Sequence, residues 1–590
     1  MRKLSWLFLA GSLSAATNYY VHNLVSDQTG VADHVDPNLV NPWGTALSSG
    51  SPFWIGNNGT GTSTLYDDTG TAIPLVVNIP AAAGAKTPGK VTGVVYNGNT
   101  NSFLISGQTP AFIFCTDDGT ISGWNSSVDK LNAKIMIDSS ASGAKYTGCA
   151  LGGTATAPIL YAADFGNAQV TAWDINLNKV VVGFVDGDVP AGMAPFNIQN
   201  LGGVLYVSYA PQASGSPYSA PGGFVVQYGF SGDILSELKG SGAFNSPWGM
   251  AIAPATFGDF ANMVLVGNFG DGMIHAFDPT SGAMMGTLNG TGGNPIAISG
   301  LWSLNFGNGK VSDSATLYFT AGPSGETHGL FGSIQGLPNL TTAGITNAAG
   351  SGAGLAPNTF VSIFGGGLAA TTRKWGGTDF VNNALPTMLD GVSVSINGEA
   401  AYVNYISPVQ INILAPPDVA AGPVQIQVTN NTLASAMVSA AVADVAPAFF
   451  TFGAPNAAGN VYIAATHADN SPGGPPNYVT GVNSTPFTEG EVIVLYGTGF
   501  GPTSPAVPKG QVITTAAPLA NTPAVTIGGL AAQVQFAGIT EAGLDQINVV
   551  IPKGLTPGTT ADIDVPVVVD VGGGVKTQPN AVISVVNPTP

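Results

Sequence analysis

From residue 41 to 334 the chain alternates short apolar runs with clusters of Gly, Asn, Asp and Ser. Runs such as Phe103-Leu104-Ile105-Ser106, Leu160-Tyr161-Ala162-Ala163, Leu205-Tyr206-Val207-Ser208 and Leu317-Tyr318-Phe319-Thr320 are too short for helices and rich in β-formers. A polar turn follows each, then a second run ending in an aromatic, then an Asp/Gly turn such as Tyr66-Asp67-Asp68-Thr69-Gly70 or Phe277-Asp278-Pro279. Asp and Gly there suit hairpin geometry. The pattern predicts strands joined by tight turns, with almost no helix.

The pattern is periodic. Asn41-Pro42-Trp43-Gly44-Thr45-Ala46 returns as Ser246-Pro247-Trp248-Gly249-Met250-Ala251, 205 residues on. Strand starts recur near Gly44, Gly93, Gly148, Asn197, Gly249 and Gly300, at intervals of 49, 55, 49, 52 and 51. An all-strand unit of about fifty residues is the size of one four-stranded propeller blade. The sixth unit is one strand short, and segment 19–25 is the expected supplier of the missing outer strand, closing a ring of six blades without an open edge. The clearest unit, 161–174, with its Asp164-Phe165-Gly166-Asn167 turn and closing Trp173-Asp174, resembles an NHL-type propeller repeat. Asn58 and Asn268 are read as standing where Asp164 stands. The wording of 36–44 and of His328-Gly329-Leu330-Phe331-Gly332-Ser333-Ile334 resembles a family of exported bacterial proteins of unassigned function, which implies a fold and export but no activity.

After Leu340 the text shifts to Ala, Val, Pro and Gly with alternating β-branched residues, and it contains its own duplication. Val361-Ser362-Ile363-Phe364-Gly365 answers to Ile493-Val494-Leu495-Tyr496-Gly497, Ser395-Ile396-Asn397-Gly398 to Thr526-Ile527-Gly528-Gly529, and Gln410-Ile411-Asn412 to Gln546-Ile547-Asn548, at offsets of 132, 131 and 136. Each copy reads as a β-sandwich. The pair resembles immunoglobulin-like domains of the IPT/TIG kind, and a tandem C-terminal module of exported acidobacterial proteins. The expected fold class is therefore all-β: a signal peptide at 1–16, a six-bladed β-propeller at 17–337, and two immunoglobulin-like sandwiches at 338–452 and 453–590.

Composition narrows the function. The chain is 590 residues long, 44% hydrophobic and 8% charged, with a formal charge of −18 and no basic cluster. Phosphate neutralisation needs clustered Lys and Arg, so nucleic acid is not expected as a partner and anionic membrane surfaces are poor ones. Arg2-Lys3, the apolar run 4–13 and the small residues Ser14-Ala15-Ala16 predict a secretory signal cleaved after Ala16. No later run is apolar over about twenty residues, so no membrane span is expected. Two cysteines, Cys115 and Cys149, read either as one disulfide of an exported protein or as two buried thiols.

No metalloprotease, nucleophile-elbow or phosphate-loop motif is present, and no cofactor is implied. Chemistry has one place to gather. The loops entering each unit's first strand, and those between its second and third strands, share a rim, which is expected to collect His34, Asn41, Trp43, Asn58, Asp164, Asn245, Trp248, Asn268, Asp271 and Trp302. Aromatics beside amides and carboxylates suit a polar ligand such as a glycan. Asp164 and Asp271 each offer one oxygen ligand of the kind Ca²⁺ takes. Turn chemistry explains the same Asn and Asp residues, and blade packing explains the tryptophans. The expected role is a secreted or cell-surface binding protein with a protein or polysaccharide partner. The alternative is a propeller hydrolase or lyase using His34, Asp164 and Asp271.

Overall fold

The computed structural model describes residues 18–212, 221–240, 242–350, 354–558 and 561–587; the expected signal segment lies outside them. The regular secondary structure is almost entirely strand, and the chain divides into two compact units, Asn18–Gly336 and a second unit that includes the residues from Leu337 on. Among the described residues no helix is long and apolar enough to cross a membrane.

Among the described residues the first unit holds six sheets in chain order, antiparallel throughout except for two short parallel pairings to Asn18–Ser26 in the sixth. Pro42–Ala46, Phe53–Asn57, Thr62–Tyr66 and Ala72–Asn78 form the first as a simple meander. The next four begin with Val91–Tyr96, Tyr146–Thr154, Met193–Leu201 and Pro247–Ile252. The sixth is composite: Leu301–Phe306, Leu317–Ala321 and Leu330–Gly336 are completed by Asn18–Ser26, which pairs antiparallel with Leu330–Gly336, and His34–Val35 lies outermost. The first strand of each sheet packs against the first strand of the next, and that of the sixth packs against that of the first. The sheets thus stand around one axis, which is the arrangement of a β-propeller.

Sequence decides how closely these inner strands approach. A Cβ on Gly44 would lie 2.6 Å from the Thr92 carbonyl oxygen, one on Gly93 2.8 Å from the Cys149 nitrogen, and one on Gly249 2.3 Å from the Trp302 oxygen. The recurring glycine is the contact point between successive sheets. Gly300 is not its sixth copy. Pairing of Leu301 with Ala321 matches pairing of Pro42 with Asn57 and Pro247 with Asn268, which puts Ser303 at the place of Gly44 and Gly249. There, at the ring's closure, the Thr45 hydroxyl donates to Ser303 Oγ at 3.1 Å. Other bonds stitch sheet to sheet: Thr92 Oγ1 to the Tyr146 carbonyl (2.5 Å), Asn197 Nδ2 to that of Trp248 (2.7 Å), and Thr320 Oγ1 to that of Trp43 (2.5 Å). Buried polar groups must be paired, and here the pairing also fixes the register of the ring.

Cys115, in the second strand of sheet two, and Cys149, in the first strand of sheet three, form a disulfide, with Cα atoms 6.3 Å apart. It fastens two neighbouring sheets to each other.

The second unit contains the duplicated text. In the first copy two sheets enclose one core that includes Val361, Ile363, Val394, Ile411, Ile413 and Val428. In the second copy one continuous sheet begins at Ala448–Phe449 and ends at Thr451–Phe452, so a single short stretch supplies both edges and the sheet closes on itself around its core. The change of module therefore falls before Ala448 rather than after residue 452. The two copies share a register: Phe364 faces Gln410 and Tyr496 faces Gln546. In each, the Gln amide donates to the Asn two residues on, Gln410 to Asn412 and Gln546 to Asn548, both at 2.8 Å. The repeated Gln-Ile-Asn phrase is a strand device. The copies are also joined by backbone bonds, from Leu385 N to the Gly510 oxygen and from Val512 N to the Asn383 oxygen, both 2.8 Å.

Candidate functional site at the mouth of the ring

The axis of the first unit is filled at one end by Trp43, Phe165, Ala194, Phe196, Ala210, Trp248 and Trp302, with Phe269 packed against them. These residues come from the first, third, fourth, fifth and sixth sheets, and groups from five sheets meet only on the axis. Trp43 lies flat on Trp302, centroids 3.5 Å apart, and Trp248 meets both edge-on at 6.1 and 5.6 Å. Aromatic pairs in these geometries contribute about 0.5–1.5 kcal/mol each beyond their burial. The indole of Trp302 donates to Asn41 Oδ1 at 3.0 Å, and that of Trp248 to the Thr147 carbonyl at 2.9 Å. The three tryptophans are at most 3% exposed. They close the axis and are not an open stacking platform, which corrects their placement among rim ligands.

The rest of the expected rim is dispersed. His34 sits on the outermost strand of the sixth sheet, farthest in sheet order from the axis. Asp164 is 2% exposed, and its carboxylate is taken up by its own turn and by the loop entering the sheet, accepting from Asn167 N (3.2 Å), Asn167 Nδ2 (2.8 Å) and Lys145 N (3.1 Å). Asp271 does the same in the fifth sheet, accepting from Met273 N at 2.9 Å and from the side chains of Asn245 (3.3 Å) and Asn268 (3.4 Å). His34, Asp164 and Asp271 therefore do not converge, and neither the hydrolase arrangement nor a shared Ca²⁺ position forms from them. The pairing also moves one equivalence: Asn57, not Asn58, matches Asp164 and Asn268 at the end of the second strand. Asn57 and Asn268 are fully buried, holding their turns.

The corrected register locates the mouth. Directly after the second strand stand Asn58, Asp117, Phe165, Phe269 and Gly322, in sheets one, two, three, five and six. The third and fifth sheets thus give this end of the axis aromatic rings, and the first and second give it polar groups. Phe269 is part-exposed and lies on Trp302, centroids 4.2 Å apart.

From the sixth sheet comes a residue that the sequence reading did not select. Ser324, Gly325 and Glu326 are consecutive left-handed residues, with φ of 58°, 67° and 67°. That conformation costs a non-glycine residue roughly 1–2 kcal/mol, and such strain gathers at functional loops. Glu326 Oε2 accepts from Asn41 Nδ2 at 2.9 Å, and Asn41 is itself left-handed, φ 45°. Gly322 admits this contact, because a Cβ there would lie 2.3 Å from Asn41 Oδ1. A chain thus runs from the Trp302 indole through Asn41 to Glu326. Burial lifts the Glu326 carboxyl above the ordinary glutamate range; the Asn41 bond opposes this, Asp117 adds to it and Lys90 opposes it. Glu326, Asp117 and Lys90 therefore share one electrostatic neighbourhood, drawn from the sixth and second sheets. The only sequence signal for Glu326 was the quoted motif that starts two residues later. Its first residue, His328, bonds Asp27 at 2.8 Å, and its carbonyl accepts from Asn41 N at 3.1 Å, so the motif anchors both the ring closure and this loop.

Away from the mouth, Asp186, Asp188 and Glu237 bring one oxygen each within 4.8 Å of the others, a set of ligands of the type Ca²⁺ takes. Burial, then the charges of Asp186 and Asp188, raise the Glu237 carboxyl.

No family profile matches the chain. Two uncharacterised proteins of Acanthamoeba polyphaga mimivirus are similar to it: R648 is 32% identical over 338 residues, covering 55% of this chain and 82% of R648, and L690 is 30% identical, covering 55% and 87%. The chain belongs to the family of these mimivirus proteins. The relatives found are viral, whereas the resemblance read from the sequence named bacterial proteins. Similar solved structures include a virginiamycin B lyase of Staphylococcus aureus, with TM-score 0.32 and 12% identity over 54% of this chain and 99% of that one. Another is the GH93 α-L-arabinofuranosidase of Fusarium graminearum, with TM-score 0.34 and 12% identity over 54% and 97%. Their activities are their own; the ring here rests on its strand contacts.

Proposed function

We propose that this chain is an exported, non-enzymatic binding protein of the cell surface or extracellular space. In this reading the first unit is a six-bladed NHL-like propeller that serves as a platform for a protein or polysaccharide partner. The second unit is a pair of immunoglobulin-like domains of the IPT/TIG kind that serves as spacer or docking module.

The observation that carries the reading is the packed aromatic closure of the axis beneath a mouth edged by Asn58, Asp117, Phe269 and Glu326. A closed axis offers no through-channel at the aromatic cluster, which suits a partner engaging from outside. The Cys115–Cys149 disulfide supports export, since such bonds persist in oxidising compartments. The backbone bonds between the two sandwich copies favour a stiff module over a flexible tether.

The test has two arms. Mass analysis of chain recovered outside the producing cell is expected to find its N-terminus after Ala16; retention in the cytoplasm with Met1 intact removes the export claim. Affinity capture with the whole chain from envelope and polysaccharide fractions is expected to retain a partner that a Phe269→Ala, Glu326→Gln double variant does not; equal capture by both removes the mouth as the platform.

A further inference from the structure

We propose that the mouth takes an uncharged saccharide, seated on Phe269 and gripped by Glu326. This rests on the reading of the ring as a binding platform, and it names the ligand class.

Glu326 is positioned for contact. Its backbone is left-handed within a run of three such residues, which the fold maintains although a glycine would adopt it freely. One carboxyl oxygen is fixed by Asn41, itself held by the Trp302 indole, while Oε1 accepts no hydrogen bond among the described residues. A carboxylate with one oxygen tethered and the other open is an oriented acceptor for a hydroxyl.

The surroundings select the ligand's charge. Glu326 and Asp117 disfavour an anion, and Lys90, in the same field, offsets one of the two negative charges. Glu326 offers an acceptor and Lys90 a donor, which a polyhydroxylated neutral molecule can satisfy at once. The amide of Asn58 adds both capacities. Phe269 is part-exposed and backed by Trp302, whose indole bonds the Asn41 that holds Glu326, giving an apolar surface of the kind that covers the C–H face of a sugar ring. An oriented carboxylate beside a part-exposed aromatic ring matches an amphipathic sugar ring, which presents hydroxyls at its edge and C–H groups on its face.

The test uses the full chain, wild type and with Glu326→Gln or Phe269→Ala. The probes are maltohexaose, cellohexaose, laminarihexaose, N-acetylchitohexaose and mannohexaose, with polygalacturonate and chitosan oligomers as anionic and cationic controls, titrated calorimetrically at pH 7. Both variants are required to melt within a few degrees of wild type, and Glu326→Gln, nearly isosteric, guards against an unfolded Phe269→Ala. At least one neutral hexasaccharide is expected to bind, weakened tenfold or more by each variant, with neither control bound. Unchanged binding in Glu326→Gln overturns the grip while leaving the platform intact. Binding confined to a charged control overturns the ligand class. No saccharide bound, with a protein captured from the envelope through the same mouth, overturns this inference and leaves the proposed function standing. No partner of either kind overturns both.

Discussion

Asp545 offers the sharpest test of how the second sandwich copy is held together. It lies in the strand Leu544–Val550, is 3% exposed, and accepts from Phe500 N at 3.1 Å through Oδ2, while Oδ1 is buried without a partner. Burial pushes its carboxyl up to about 7, against which the Phe500 and Gly499 amides act. The unfolded chain releases this proton near pH 3.9. Between those values the folded state holds a proton that the unfolded state has lost, so stability is full below about pH 4 and falls as pH rises through 7. The shift is about 3 units at 1.36 kcal/mol each, about 4 kcal/mol in all, with roughly 2–3 kcal/mol of that lost between pH 5 and pH 8. Asp545→Asn abolishes the titration. Urea unfolding of the full chain, read by pulse proteolysis with cleavage sites assigned by mass spectrometry within 448–587, isolates this module. The wild type is expected to lose roughly 2–3 kcal/mol from pH 5 to pH 8 relative to Asp545→Asn. An identical pH slope in the two proteins, or a wild type that gains stability over that range, refutes the argument.

Three further outcomes follow from the first unit. Gly249→Ala drives a Cβ toward the Trp302 carbonyl and is expected to lower unfolding free energy by about 1–3 kcal/mol, whereas Gly50→Ala, with nothing within 4 Å, leaves the calorimetric melting temperature unchanged. Cys149→Ser removes a link across a sequence separation of 34 residues, for which chain entropy gives a loss of about 3–4 kcal/mol, and reductant is expected to lower the wild-type melting temperature but not the variant's. Glu326→Gly relieves a left-handed residue, a gain of about 1–2 kcal/mol, but strips the buried Asn41 amide of its acceptor, a cost of about 1–3 kcal/mol; thermal melts are expected to show no net gain in stability while saccharide binding is lost, and a clear rise in melting temperature would count against the Asn41–Glu326 bond.

Neighbouring residues display the structure where local chemistry governs it and conceal it where strand register does. The strand-and-turn period and the inner glycines were legible because strand alternation and turn geometry are local. Two equivalences slipped by a few residues, Gly300 for Ser303 and Asn58 for Asn57, because bulges near the starts of the inner strands shift the pairing, and no single strand displays that shift. The tryptophans are legible as a phrase and as packing residues, but not as one cluster on the axis, since one strand does not reveal what fills it. Glu326 was missed because its partner, Asn41, lies 285 residues away.

The amino-acid sequence by itself determined the units: short strands, their spacing of about fifty residues, and a duplicated pair of modules whose copies keep one register. These follow from backbone propensity and side-chain alternation, which act over a few residues. Tertiary structure alone decided what the units enclose. Ring closure brings Trp43, Phe196, Trp248 and Trp302 onto one axis, sends His34 to the outside, and sets Glu326 beside Asn41 with Asp117 and Lys90 in its field. The physical reason is that an axial site is built from one or two residues per sheet, and their meeting depends on the curvature of the whole ring.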